Sequence, residues 1–367
     1  MREYMLVFLV GVAICFCLTP ACRSLALRAR AVAKVRDRDV HTTSIPYFGG
    51  IAMLGGLAAA FLVASRMPFL SRYHNVTPDS LVILAAASAI CLVGVLDDIF
   101  DLNALTKVAG QVLAAGILVV GGVRMYWIPS PTGGIITLDT AAGVLITVAA
   151  VFFCANAVNI IDGLDGLAAG IVAISASAFF IYAYWLTVEM NIARATTASL
   201  ITIGMCGIAI GYLPYNFYPA KIFMGDSGAM LLGLLFAASM ISLTGQVDPT
   251  GLDERSGLLG AYIPLVMPII ALGLPFIDMF VAYARRTWQG VWWFIADKQH
   301  LHHRLLQRGR SQLGAVGMMY AWTALLAYSA LFLAVFPSPI TISIVVIVVV
   351  STLVFVVLTC RKTSVTQ

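Results

Sequence analysis

Carboxylates at the ends of long apolar runs are the first residues in this chain that could do chemistry. Asp97, Asp98 and Asp101 close the run 79–96, Asn159, Asp162 and Asp165 follow the run 140–158, and Asp226 precedes the run 228–243. A charge at the centre of a membrane helix costs about 2.5–3.5 kcal/mol on insertion scales, and clustered anions repel one another. Carboxylates that converge beside such runs therefore need a countercharge, most simply a divalent cation. Magnesium suits carboxylate oxygens and completes its shell with water and substrate phosphate, whereas zinc would draw the histidines into a tetrahedral set. The expected chemistry is Mg2+ acting on a phosphorylated substrate.

Each motif also has a plainer explanation. In Asn159-Ile-Ile-Asp162-Gly-Leu-Asp165-Gly the polar residues recur every third position, so on a helix they would share an arc of about 120°. Gly163 and Gly166 would let a ligand or a neighbouring helix come close to the backbone, and close helix packing in lipid would explain them equally well. Gly225-Asp226-Ser227-Gly228 opens an apolar helix whose first amides favour anions, although an N-cap alone would account for Asp226. Lys107, about one turn into the run 104–122, could bind phosphate as a point charge or simply snorkel to the membrane surface. In Asp297-Lys-Gln-His300-Leu-His302-His303 a helical turn would put Asp297, His300 and His303 on one face and send His302 elsewhere; a solvated loop is the alternative. The chain has no Walker A pattern, no dinucleotide-binding glycine fingerprint and no Gly-x-Ser-x-Gly elbow, and phosphoryl transfer remains.

The elements that must position these residues are membrane helices. Of 367 residues 61% are hydrophobic and 11% charged, with a mean hydropathy of +0.96, a balance that excludes an ordinary soluble domain. Apolar windows predict eleven spans: 4–22, 47–64, 79–96, 104–122, 140–158, 166–186, 197–213, 228–243, 258–283, 314–336 and 338–360. At about 20 residues each they leave only loops besides. The expected organisation is a single all-α integral membrane domain over residues 1–367. With the amino terminus outside, the inside segments carry 16 of the 22 Lys and Arg residues, so the positive-inside rule puts the carboxy terminus and every acidic cluster on the cytoplasmic face. The net charge of +5 is read as topology and not as nucleic-acid binding. The outside loop 123–139 could hold a short hairpin at Thr132–Gly134. Seven cysteines within or beside apolar runs suggest neither disulfides nor a zinc site. Residues 4–22 imitate a secretory signal but are expected to stay as the first helix.

Five motifs in order resemble the bacterial polyprenyl-phosphate N-acetylhexosamine-1-phosphate transferases, the group containing WecA, TagO and MraY. They are His41–Gly50, Asp97-Asp98-Ile-Phe-Asp101, Asn156–Leu167, Phe223-Met-Gly-Asp226-Ser-Gly228 and His300-Leu-His302-His303. The resemblance spans nearly the whole chain. It implies transfer of a sugar 1-phosphate from a UDP-sugar to a membrane polyprenyl phosphate, undecaprenyl or decaprenyl, with release of UMP and with Mg2+ as cofactor. It implies that Asp226 coordinates the metal, and that Asp97 and Asp98 share the metal site and support catalysis. Asn159, Asp162 and Asp165 would shape the polar cleft, with Lys107, His41, His300, His302 and His303 on the substrate side. Asn216, Phe223 and Gly225 match nucleotide-binding positions, Phe223 as the stack for uracil. The His-x-His-His order and Ser44-Ile-Pro46-Tyr-Phe-Gly49-Gly50 look like the WecA and TagO branch, which implies UDP-GlcNAc and not the UDP-MurNAc-pentapeptide of MraY. Arg38-Asp39-Val-His41 departs from the Arg-Lys that many relatives place before the histidine. The implied location is the bacterial cytoplasmic membrane, and a homodimer is compatible with it. An ion-coupled transporter is the competing class, but it would place its carboxylates near mid-membrane. A non-catalytic binder of lipid phosphate would have little use for the acidic motifs.

Overall fold

The computed structural model describes residues 1–33, 44–73, 76–130, 135–245, 265–290 and 300–360. These residues are mostly helical: α1 (Arg2–Arg28), α2 (Gly49–Ala64), α3 (Pro68–Ser71), α4 (Val76–Phe100), α5 (Ala104–Val120), α6 (Thr140–Ile161), α7 (Leu167–Val188), α8 (Ala195–Asn216) and α9 (Gly225–Thr244). There follow α10 (Leu265–Ala271), α11 (Gly273–Trp288), α12 (Leu301–Gln307), α13 (Gln312–Val335) and α14 (Pro339–Cys360). Eight of these, namely α1, α4, α6, α7, α8, α9, α13 and α14, are long and apolar enough to cross a membrane. A ninth span forms if α10 and α11, bent by 77° at Leu272, count as one. The remaining windows fall on the shorter apolar helices α2 and α5.

Burial orders the bundle. The central window of α9 is wholly buried, those of α8 and α7 largely so, while α1 and α14 turn most of their surface outward. Small side chains explain how α9 can sit in the middle. A Cβ at Gly233 would lie 2.4 Å from the Cα of Ala155, so only glycine lets α9 approach α6 so closely. Around α9 stand α2, α4, α6 and α8. The expected hairpin is present, with β1 (Trp127–Pro129) antiparallel to β2 (Ile135–Thr137) and Ile128 opposite Ile136; its turn, 131–134, lies outside the described residues. Cys15, Cys17, Cys22, Cys91, Cys154 and Cys206 are free.

Helix ends differ from the expected windows where polar residues matter most. Helix α4 runs on to Phe100 and so carries Asp97 and Asp98 in its last turn. Helix α6 stops at Ile161, with Asp162 as its C-cap. Asn159, Asp162 and Asp165 therefore do not share one helical face as expected. Gly163 and Gly166 break the helix, and Gly166 has a φ of 75°. That left-handed conformation, which glycine adopts without strain, comes just before α7 begins.

Candidate active site

The first turn of α9 is held from two sides. The strap 45–50 donates Gly49 N–H to the Phe223 carbonyl at 3.1 Å and Gly50 N–H to that of Met224 at 3.2 Å, while Phe223 N–H returns a bond to Pro46 O at 2.8 Å. The same strap pairs with the tail of α1, Ala33 N–H to Ile45 O at 2.8 Å and Tyr47 N–H to Ala31 O at 3.0 Å. From α4, Asp98 accepts from Asp226 N–H at 2.9 Å and from Ser227 Oγ at 2.9 Å. A carboxylate from one helix thus satisfies the open amides at the positive end of another. Gly225 is obligatory there: its φ is 67°, and a Cβ would lie 2.4 Å from an Asp98 oxygen. Cβ atoms at Gly50 and Gly94 would likewise strike residues 226–228 at 2.3–2.7 Å.

So held, Asp226 does not act as an N-cap. Met224 takes the cap position, and the Asp226 carboxylate points to α5 and α6. Its Oδ2 accepts from Lys107 Nζ at 2.8 Å and its Oδ1 from Asn159 Nδ2 at 2.8 Å. The same ammonium lies 2.6 Å from Asp97 Oδ2, while Asp97 Oδ1 accepts from Leu102 N–H at 2.8 Å. Lys107 stands one turn past the Asn103 N-cap of α5, as its position in the run predicts, and bridges α4 to α9 instead of snorkelling. One turn deeper, Asn156 Nδ2 donates to Gln111 Oε1 at 3.1 Å and ties α6 to α5 behind the cluster.

The turn after α6 forms the next wall. Burial, followed by the charges of Asp226, Asp98 and Asp165, pushes Asp162 up to about 8. Asp165 Oδ2 accepts from Ala220 N–H at 2.9 Å, and buried Asn216 accepts from Gly166 N–H at 3.1 Å while donating to Ile222 O at 3.1 Å. Both side chains fasten the 217–224 segment to the 162–166 turn. Phe223, half-buried, faces Tyr47 with ring centres 6.3 Å apart. His302 lies with Nε2 against Gly163, where a Cβ would meet it at 2.1 Å. The helix expected through the histidines begins only at Leu301, with His300 as its N-cap, so the inward residue is His302 and not the one sent elsewhere. Burial, and then His303, lowers His302 to about 3, so its ring is neutral near neutral pH. Its Nδ1 has no hydrogen-bond partner among the described residues. His41 and Asp297 lie outside the described residues.

The donor set favours a hard cation. Asp97 and Asp226 are drawn together by one ammonium, with the Asn159 amide beside them. Among the described residues no three His, Cys, Asp or Glu side chains are grouped to hold a metal on their own. Two carboxylates with no further protein ligand would fit a hard cation such as magnesium, which takes its other positions from water and phosphate.

The sequence profile of glycosyl transferase family 4 covers residues 80–244, which hold Asp97, Lys107, Asn159, Asp162 and Asp226. A decaprenyl-phosphate N-acetylglucosaminephosphotransferase of Mycobacterium tuberculosis (strain ATCC 25618 / H37Rv) is 38% identical over 333 residues, 90% of this chain and 82% of that protein. The chain belongs to glycosyl transferase family 4. A probable undecaprenyl-phosphate N-acetylglucosaminyl 1-phosphate transferase of Bacillus subtilis (strain 168) is 31% identical over 91% of this chain and 86% of its own length. A phospho-N-acetylmuramoyl-pentapeptide-transferase of Desulforudis audaxviator (strain MP104C) is 35% identical over 266 residues, 65% of this chain and 77% of that protein.

In this family 4 glycosyl transferase, Asp97, Lys107, Asn159 and Asp226 meet directly. Asp98, Asp165 and Asn216 brace backbone around them. Sequence reasoning missed Asp278 of α11, buried and bonded to His300, and Gly94 of α4, pressed against Ser227. Asp278 is an acidic residue inside the apolar window 258–283, a signal that could have found it. Gly94 had no signal, because only the fold says which helix it touches.

Proposed function

We propose that this chain transfers GlcNAc 1-phosphate from UDP-GlcNAc to a polyprenyl phosphate, releasing UMP and leaving a polyprenyl-diphosphate GlcNAc. The observation that carries it is the junction of Asp97, Lys107, Asn159 and Asp226 at the ends of four helices, two anions and one cation where a lipid phosphate and a nucleotide diphosphate could meet. Two of the relatives named above carry decaprenyl phosphate and undecaprenyl phosphate in their names, which supports the acceptor class. In this scheme Mg2+ held by Asp97 and Asp226 offsets charge on the diphosphate and on the leaving UMP. Asp98 keeps the first turn of α9, and so Asp226, at its proper height. Lys107, held between the Asp97 and Asp226 carboxylates, would offer its ammonium to a substrate phosphate. Phe223 stacks the uracil, a contact worth about 1–3 kcal/mol per base. The acceptor phosphate dianion already makes a nucleophile, so the chain orients an in-line attack and needs no strong base.

The charge asymmetry of the loops supports eleven spans with α2, α5 and the bent α10–α11 pair among them. It also supports an outside amino terminus, a cytoplasmic carboxy terminus and a cleft on the cytoplasmic face of a bacterial inner membrane. The whole chain then forms one transferase domain. The purified protein in detergent should release UMP from UDP-GlcNAc only when both polyprenyl phosphate and Mg2+ are present. Release of UMP from UDP-MurNAc-pentapeptide in preference to UDP-GlcNAc would move the chain to the other branch of the family. Release without a lipid acceptor would overturn the transfer reaction altogether.

A further inference from the structure

An ionisable side chain inside an apolar helix is costly unless it is paired and used. Asp278 sits on α11, one and a half turns beyond the 77° bend, and is only 2% exposed. Its Oδ2 lies 3.1 Å from His300 Nδ1 and its Oδ1 accepts from Leu301 N–H at 2.9 Å. Both bonds reach out of the helix bundle to the start of α12. The bend makes this reach: Ser175 Oγ on α7 donates to Ala271 O at 2.6 Å, securing the carbonyl at the corner from which α11 departs.

We infer that Asp278 is a positioning residue for donor binding, acting through His300. A carboxylate only accepts, so its bond to Nδ1 fixes the His300 proton on that nitrogen and leaves Nε2 as the ring atom offered to a ligand. The His300 ring then stacks parallel to His302, at 6° and 5.9 Å, and His302 lies against Gly163 beside Asp162. Orientation set on α11 is thus carried to the wall of the cleft. His302 is buried, and its Nδ1 has no hydrogen-bond partner among the described residues, so it brings a second imidazole nitrogen to the same place. The ligand that fits two imidazole nitrogens beside the Lys107 ammonium and carboxylates suited to a hard cation is the sugar 1-phosphate end of a nucleotide sugar. The inference rests on the transferase reading above.

A structural role for Asp278 is the rival, since the Leu301 N–H bond caps α12. Steady-state kinetics on the full chain separate the two. Asp278→Asn should lower kcat/KM for UDP-GlcNAc by about 10- to 100-fold, the size expected for one charge-assisted hydrogen bond. The KM for polyprenyl phosphate should stay unchanged, and Asp278→Glu should recover part of the loss. His300→Asn, which keeps a donor toward Asp278 but removes Nε2, should lose a similar amount, and the double variant should be no worse than either single one. Losses that multiply in the double variant, or an Asp278→Asn protein with wild-type kcat/KM and only a lower melting temperature, would overturn the inference. Should Asp278→Asn not fold, His300→Asn decides alone, and wild-type kcat/KM there overturns it. A wild-type chain inactive with UDP-GlcNAc and polyprenyl phosphate would sink the transferase reading and this inference with it, whereas an active wild type with unaffected Asp278 and His300 variants would sink this inference alone.

Discussion

Replacing Gly94 with alanine tests whether the catalytic geometry depends on how closely α4 and α9 approach. A Cβ at this position would sit 2.3 Å from Ser227 Cα, 2.4 Å from Ser227 N and 2.7 Å from the Asp226 carbonyl carbon, where ordinary contacts begin near 3.4 Å. The obstacle is backbone on both sides, so no rotamer relieves it, and the two helices must part by about 1 Å. Overpacking of this kind costs about 1–3 kcal/mol, a fraction of the about 5–15 kcal/mol typical of a folded domain. Activity is less forgiving. Such a shift moves the Asp226 carboxylate off its bonds to Lys107 and Asn159, both 2.8 Å. A misplacement of about 1 Å can cost on the order of 100-fold in rate. Gly94→Ala should therefore lower kcat/KM about 100-fold in a UMP-release assay while its detergent melting temperature falls only modestly. Gly116→Ala, on α5 with nothing within 4 Å of the added carbon, is the matched control and should be near wild type. Wild-type kcat/KM for Gly94→Ala would show that the approach of α4 to α9 does not set the site.

Lys107→Met removes the cation between Asp97 and Asp226. Mg2+ should then raise the melting temperature of this variant more than that of wild type, where the metal must displace an ammonium. An equal Mg2+ shift in both proteins would mean that the metal binds elsewhere. Chelating divalent cations should abolish UMP release and added Mg2+ restore it; full activity in excess chelator would end the magnesium assignment. The pH dependence of stability has two opposed parts. His302, lowered to about 3 from 6.5, binds fewer protons folded than unfolded, so its share of stability is present above about pH 6.5 and is lost as pH falls towards 3. Melting curves of His302→Gln should lack that acid loss. Asp162, raised from 3.8 to about 8, holds its proton in the folded state, so its share is present below about pH 4 and is lost as pH rises through 8. Asp162→Asn should flatten the alkaline decline, and an unchanged slope would show that burial does not hold the Asp162 proton in the folded state.

Much of this protein was legible in its sequence, because lipid imposes a one-dimensional rule. Backbone polar groups must be satisfied within each span, so apolar length alone reveals the helices. Accordingly α1, α4, α6, α7, α8, α9, α13 and α14 lie where the windows put them. Residue type and spacing also set out the candidate chemistry, carboxylates, a lysine and histidines at helix ends. Asn103 and Asp139 cap the helices that follow them with their short acceptor side chains. Side-chain direction was another matter. Asp97 and Asp98 are neighbours with the same chemistry, yet one meets Lys107 while the other binds the amides of Asp226 and Ser227, a division made only by the packing of α4 against α9. The break after Ile161 and the late start of α12 were likewise settled by long-range partners, Asn216 for Gly166 and Asp278 for Leu301. Which residues lie at a membrane surface follows from local hydropathy, and the amino-acid order determines that by itself. Which of them touch follows from the close approach of helices far apart in the chain, and that exists only once the bundle is assembled.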